Sequence, residues 1–130
     1  MAWEEMEKTQ SRGLGGYGKD WDTVPCVSIN TNGISINGPF IECFMNRSIA
    51  VRVCYDVENM MIGIKVVPRG EEQATDFVPR PPSKRSRKAK TIYCHSISKL
   101  FPECRKRAYR AARNGSGLIV AQLTDANRAK

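Results

Sequence analysis

Lysine and arginine side chains neutralise phosphates, and this chain gathers them in one region. Residues 80–113 hold twelve of them against one acid, Glu103, whereas residues 1–79 hold seven against eleven acids. The whole chain of 130 residues carries a net +8. A weakly acidic front and a strongly basic rear point to an anionic partner met by one region. The basic residues fall into two clusters: Lys84, Arg85, Arg87, Lys88 and Lys90, then Arg105, Lys106, Arg107, Arg110 and Arg113. Tyr93, Phe101 and Tyr109 are interleaved with them, and aromatic rings stack on bases. A single cluster would read as a solvated linker or face. Two clusters with almost no compensating acid favour nucleic acid, DNA or RNA, held through its phosphates. The run 84–88 also has the composition of a nuclear-import patch, which any basic linker shares.

Other chemistries find less support. His95 is the one histidine, and Cys94 beside it and Cys104 further on lack the paired short spacings of a zinc site. As nucleophile and base, Cys94 and His95 fail because neighbours on a strand point to opposite faces. Asp56 and Glu58 suit a turn, and most other acids lie outside any expected pocket. No catalytic residue, metal, cofactor or small-molecule ligand is expected. The run Gly13-Leu14-Gly15-Gly16-Tyr17-Gly18 lacks the spacing, preceding strand and Lys-Ser/Thr pair of phosphate-binding loops, and reads as a flexible arm. Cys26, Cys43, Cys54, Cys94 and Cys104 are odd in number with no CxxC pair, which suggests reduced thiols in a cytoplasmic protein. A sheet could still bring Cys26 and Cys54 together, so a bridge between them stays open. No apolar run approaches the ~20 residues of a membrane span, so no membrane partner is expected, and the acidic, polar start differs from a signal peptide.

The elements that must position the basic residues follow from periodicity and turn chemistry. Residues 26–29 and 34–36 are short β-branched runs separated by a turn cluster at 30–33. Pro39 can open one or two helical turns through Phe40, Ile41, Cys43 and Phe44. Ile49, Val51, Val53 and Tyr55 alternate against Arg52 and Cys54, and Ile62, Ile64 and Val66 repeat the pattern after a turn at 56–59, which predicts a hairpin. Residues 68–90 read as a linker, stiffened by Pro79, Pro81 and Pro82 and then densely charged. A strand is expected over 91–95, with Ser96 capping a short helix through Leu100 and Phe101 that Pro102 limits. Alanine and arginine favour helix over 105–112. The turn signal Asn114-Gly115-Ser116-Gly117 and the strand-like 118–123 favour a second hairpin over that helix, which as the alternative would put Lys106, Arg110 and Arg113 in one stripe. As a strand, this stretch puts Arg105, Arg107 and Arg113 on one face and Lys106 and Arg110 on the other.

The order strand, Gly turn, strand, short helix, strand, acidic turn, strand over residues 26–67 resembles the AbrB-type swapped-hairpin module of bacterial transition-state regulators and antitoxins. Asn32-Gly33-Ile34-Ser35-Ile36-Asn37-Gly38-Pro39 stands where that family has Gly-Arg-Ile/Val-x-Ile-Pro, and Asp56-Val57-Glu58-Asn59 stands at its second hairpin turn. The signature arginine is missing, because Ile34 follows Gly33 directly, so no DNA-contacting position carries over. The resemblance implies an intertwined homodimer. In general type the chain also resembles small proteins of phages and mobile elements. Taken together, the expectation is an α+β protein, mainly antiparallel β hairpins with one or two short helices. It comprises an arm at 1–23, one domain at 24–123 with the basic linker at 68–90, and a fraying tail at 124–130. Its expected role is non-enzymatic nucleic-acid binding; the alternative is a homodimeric protein-interaction or assembly module.

Overall fold

Turn chemistry and alternation produce eight strands in the computed structural model, which describes residues 18–81 and 89–130. Residues 1–17 and 82–88, and with them the glycine-rich run 13–17 and Lys84, Arg85, Arg87 and Lys88, lie outside the described residues. Strands β1 (Cys26–Asn30) and β2 (Gly33–Ile36) pair antiparallel. Their turn is tied by the Asn30 Oδ1, which accepts the N–H groups of Asn32 at 2.9 Å and Gly33 at 3.1 Å, a local bond that asparagine makes readily. Gly33 sits at φ +142, and a Cβ there would lie 2.1 Å from the Ile92 carbonyl oxygen. Glycine is what lets the next strand approach so closely.

After β2, the buried Asn37 side chain accepts from the N–H of Phe40 at 2.9 Å and caps the turn α2 (Gly38–Phe40), with Pro39 in its first turn. A π-helical turn, Ile41–Met45, continues it, and Asn46 and Arg47, at φ 43 and 71, end it. Asn37 also accepts from the Cys26 N–H at 3.0 Å and donates to the Trp21 and Val24 carbonyls, both at 2.7 Å. It thereby fixes α1 (Lys19–Thr23) to the start of β1.

The hairpin of β3 (Ala50–Asp56) and β4 (Met61–Val67) pairs in register from Ala50 with Val67 to Asp56 with Met61. Val51, Ile62 and Ile64 face the core, as their alternation requires, while Tyr55 from the same face stands exposed near the turn. Further on come β5 (Lys90–Tyr93), α3 (Ser96–Leu100), a 3₁₀ turn at Pro102–Cys104, β6 (Arg107–Arg110), β7 (Ala112–Arg113), β8 (Ile119–Gln122) and a last 3₁₀ turn at Asp125–Asn127. The α3 helix starts after His95, and no side chain caps it, so Ser96 is its first residue rather than its cap.

Two four-stranded antiparallel sheets result, in the orders β5-β2-β1-β6 (sheet A) and β3-β4-β8-β7 (sheet B). The protein is therefore α+β. One apolar core joins the sheets: Val27, Ile29, Ile34, Ile36, Ile92 and Tyr109 from A meet Val51, Ile62, Ile64, Ile119 and Ala121 from B, with Phe40, Phe101 and Leu123 filling between.

The stretch 105–113 is strand, and it is divided between the sheets. β6 pairs with β1, Cys26 opposite Arg110 and Ile29 opposite Arg107, while only β7 pairs with β8. The expected hairpin onto 118–123 is thus shortened to two residues. The chain crosses at Ala111, whose N–H donates to the Pro25 carbonyl at 3.0 Å.

Three of the four sheet edges carry a main-chain bridge, and the fourth, β7, is two residues long. Phe77 exchanges both main-chain bonds with Val51 on the β3 edge, at 2.8 and 2.9 Å, and Arg80 does so with Thr91 on the β5 edge, at 2.9 and 2.7 Å. The β6 edge receives the Ala129 N–H on the Ala108 carbonyl at 2.9 Å. Closed or very short edges resist strand addition by other chains. The described part of the expected linker is therefore a strap. An ion pair of Arg52 Nε with Asp76 Oδ1 at 2.7 Å holds it down, and the same carboxylate accepts from the Gln73 N–H at 2.8 Å.

The tail is ordered as well. Asn127 donates to the Arg110 and Gln122 carbonyls at 2.8 and 2.9 Å. Lys130 accepts the Asp20 N–H at 2.7 Å and donates its own to the Asp20 carboxylate at 2.7 Å. All five cysteines are free, with Cys26 buried and Cys54 exposed, so the bridge left open between them is not made.

Candidate functional site

The second basic cluster spreads over two places. Arg110 and Arg113 are held: the Arg110 guanidinium bonds the Asp20 carboxylate at 2.9 Å, and Arg113 lies 5.4 Å from the centre of the Phe44 ring. The Lys130 amide first, and then the Arg110 guanidinium, hold the Asp20 carboxyl below the usual carboxylate range. Lys90 opens β5 opposite Ile36 and is half-buried, at the end of sheet A away from Arg107.

Arg105, Lys106 and Arg107 stand at the other end of sheet A. Arg105 Nε donates to the Ser98 carbonyl at 3.1 Å, which sets the guanidinium on the C-terminal half of α3, a favourable place for a cation. Lys106 adopts φ +63 and donates its N–H to the Ile29 carbonyl at 2.8 Å. Left-handed backbone at a lysine costs about 1–2 kcal/mol, and strain of this kind gathers at working sites. Arg107 is half-buried and reaches the exposed Asp125 at 3.6 Å.

Topology brings three further pieces to this end. β5 finishes there, with Tyr93 opposite Gly33 and 41% exposed. The exposed β1–β2 turn residues Thr31 and Asn32 are there, and α3 bridges from β5 toward β6 with Lys99 exposed. Lys99, Arg105 and Lys106 form no ion pair among the described residues. Three exposed cations and an exposed ring thus share one end of a sheet, with Glu103 the nearby acid in the chain.

The aromatic part of the expectation needs correction. Tyr109 is 1% exposed and Phe101 is fully buried; both are core residues and neither ring can reach a base in this fold. Burial, and then the neighbouring Cys104 thiol, push the Tyr109 phenol up to about 12. Tyr109 stands opposite Val27, on the face of β6 that looks into the core. Lys99 went unassigned in the sequence because it belongs to neither cluster; its place in the short helix that follows β5 was the available signal.

Elsewhere the chemistry is sparse. Cys94 is buried, its thiol pushed up to about 11 by burial and donating to the Ile92 carbonyl at 3.5 Å. Among the described residues no three His, Cys, Asp or Glu side chains gather in a way that would hold a metal ion. A cleft of about 720 Å³ lies where the chain crosses between sheets; Val24, Pro25, Met61, Leu118 and Val120 supply its apolar lining, and Arg110 and Arg113 are its charged residues. No helix is long and apolar enough to cross a membrane among the described residues. No family model, curated protein or solved structure matches the chain.

Proposed function

We propose that the protein binds nucleic acid without sequence preference, through the end of sheet A that carries Lys99, Arg105 and Lys106. The placement of these three exposed cations, without an ion pair among the described residues, at one end of an ordered sheet carries the reading. Lysine and arginine so placed neutralise phosphates and release counterions, which supplies affinity and makes it salt-dependent. Binding of labelled DNA and RNA at two salt concentrations tests it. Affinity should fall as salt rises, and Arg105→Glu with Lys106→Glu should weaken binding to all sequences alike and flatten the salt dependence. No binding at low salt, or an affinity indifferent to salt, overturns the reading. A homodimeric assembly role is the second reading, supported by the apolar lining of the cleft and by exposed Ile49, Tyr55 and Val57. With three sheet edges bridged and the fourth only two residues long, such a dimer would form through side chains, and light scattering on the same sample reads it.

A further inference from the structure

Resting on the nucleic-acid reading, we infer that this end of sheet A takes a single strand, with one unpaired base stacked on Tyr93 and the flanking phosphates on Lys99, Arg105 and Lys106. The geometry separates ring from cations across the sheet. Tyr93 pairs with Gly33, Gly33 with Asn30, and the adjacent Ile29 with Arg107. Three strand spacings of ~4.8 Å therefore put about 14 Å between Tyr93 and the Arg105–Lys106 corner. A strand laid along this line meets an aromatic ring first and cations next.

The cross-strand neighbour of Tyr93 is a glycine, so no side chain from β2 covers that flank of the ring. Exposed Thr31 and Asn32 at the turn beside it offer hydrogen-bonding groups to a base edge. The Lys106 backbone is set at φ +63 with its N–H on the Ile29 carbonyl, and the Arg105 side chain is anchored by its own bond to the Ser98 carbonyl.

A duplex would meet this surface through its phosphates alone. Reading a major groove takes a helix or a two-stranded ribbon that projects into it. Here α3 is 5 residues long and lies against β1 and β2. A base still inside a duplex stack offers no face to Tyr93. Single strands offer every base a face, and stacking on aromatic side chains is tolerant of sequence.

The test compares oligothymidylate, oligouridylate and a DNA duplex, each about 12 units long to fill a site of ordinary size, by fluorescence anisotropy on the full chain. The single strands should bind more tightly than the duplex, and the two arms show whether deoxyribose or ribose is preferred. Tyr93→Leu should weaken single-strand binding about tenfold and leave duplex binding unchanged, while Tyr93→Phe should keep wild-type affinity. Thermal unfolding of the variants confirms that they fold. Salt-sensitive binding in which duplex equals single strand, or in which Tyr93→Leu matches wild type, overturns the single-strand inference and leaves the nucleic-acid reading standing. No binding by any arm at low salt overturns both.

Discussion

At one end of the stretch 105–113, Arg110 and Arg113 are occupied by an aspartate and a phenyl ring; at the other, Arg105 and Lys106 are exposed, at the same end of sheet A as the exposed Tyr93. The residue types are the same and the positions nearly adjacent, yet one end ties the molecule together and the other is available to a partner. The difference comes from what each strand end meets. Beyond Cys26 the chain turns back as α1 and delivers Asp20 to Arg110. Beyond Ile29 it makes an uncharged asparagine turn, which brings no carboxylate to Lys106. Counting charge along a sequence therefore overstates an interface; each cation has to be weighed by the partner the fold gives it.

Three changes would break or sharpen this comparison. Tyr109→Ala should have the largest effect on stability, about 3–5 kcal/mol, because it empties a fully enclosed aromatic site. Denaturant unfolding reads the loss, and a variant of undiminished stability would return Tyr109 to the surface. Lys106→Gly should act in the opposite direction, stabilising by about 1 kcal/mol through relief of left-handed backbone at a non-glycine residue. The same variant should bind nucleic acid more weakly. A gain in stability with no loss of binding would separate the strain from the proposed site.

The smallest effect concerns pH. The Asp20 carboxyl titrates below its ordinary value in the folded protein, so its contribution is fully present above about pH 3.9, the unfolded value. That contribution is lost as pH falls through the lowered folded value. The stability difference between wild type and Arg110→Ala should accordingly shrink on acidification. Arg105→Ala, with no carboxylate partner among the described residues, should show no such trend in the same acid titration of unfolding.

Most of the first half of the fold can be read locally. Val51 and Val53 against Ile62 and Ile64 name a hairpin on their own, with Asp56 accepting from Asn59 at the turn. Asn30 and Gly33 do the same for β1 and β2. The second half depends on distant partners. Alanine and arginine over 105–112 carry helical propensity, and pairing with β1 overrides it. Phe77 and Arg80 lie in a segment with no periodicity, because single bridges to edge strands leave no pattern. The tail is ordered by Asp20 and Asn127, contacts that no neighbouring residue announces. For the candidate site, the cations were visible as a cluster, but their division into held and available depended on Asp20 and Phe44. Tyr109 looked like one more ring among arginines because its pairing with Val27 lies far away in sequence.

The crossing at Ala111 also ties both sheets to one long-range pairing. β6 must find β1 roughly eighty positions earlier in the chain, while β7 and β8 close over a short turn. Loops of that size close slowly, and folds rich in such pairings take milliseconds to seconds. Because the strand belongs to both sheets, neither can be completed without the other, and both should melt in a single cooperative transition. Until residues 107–110 arrive, β1 presents an open edge that the finished molecule never shows, and chains caught at that stage are the ones exposed to aggregation.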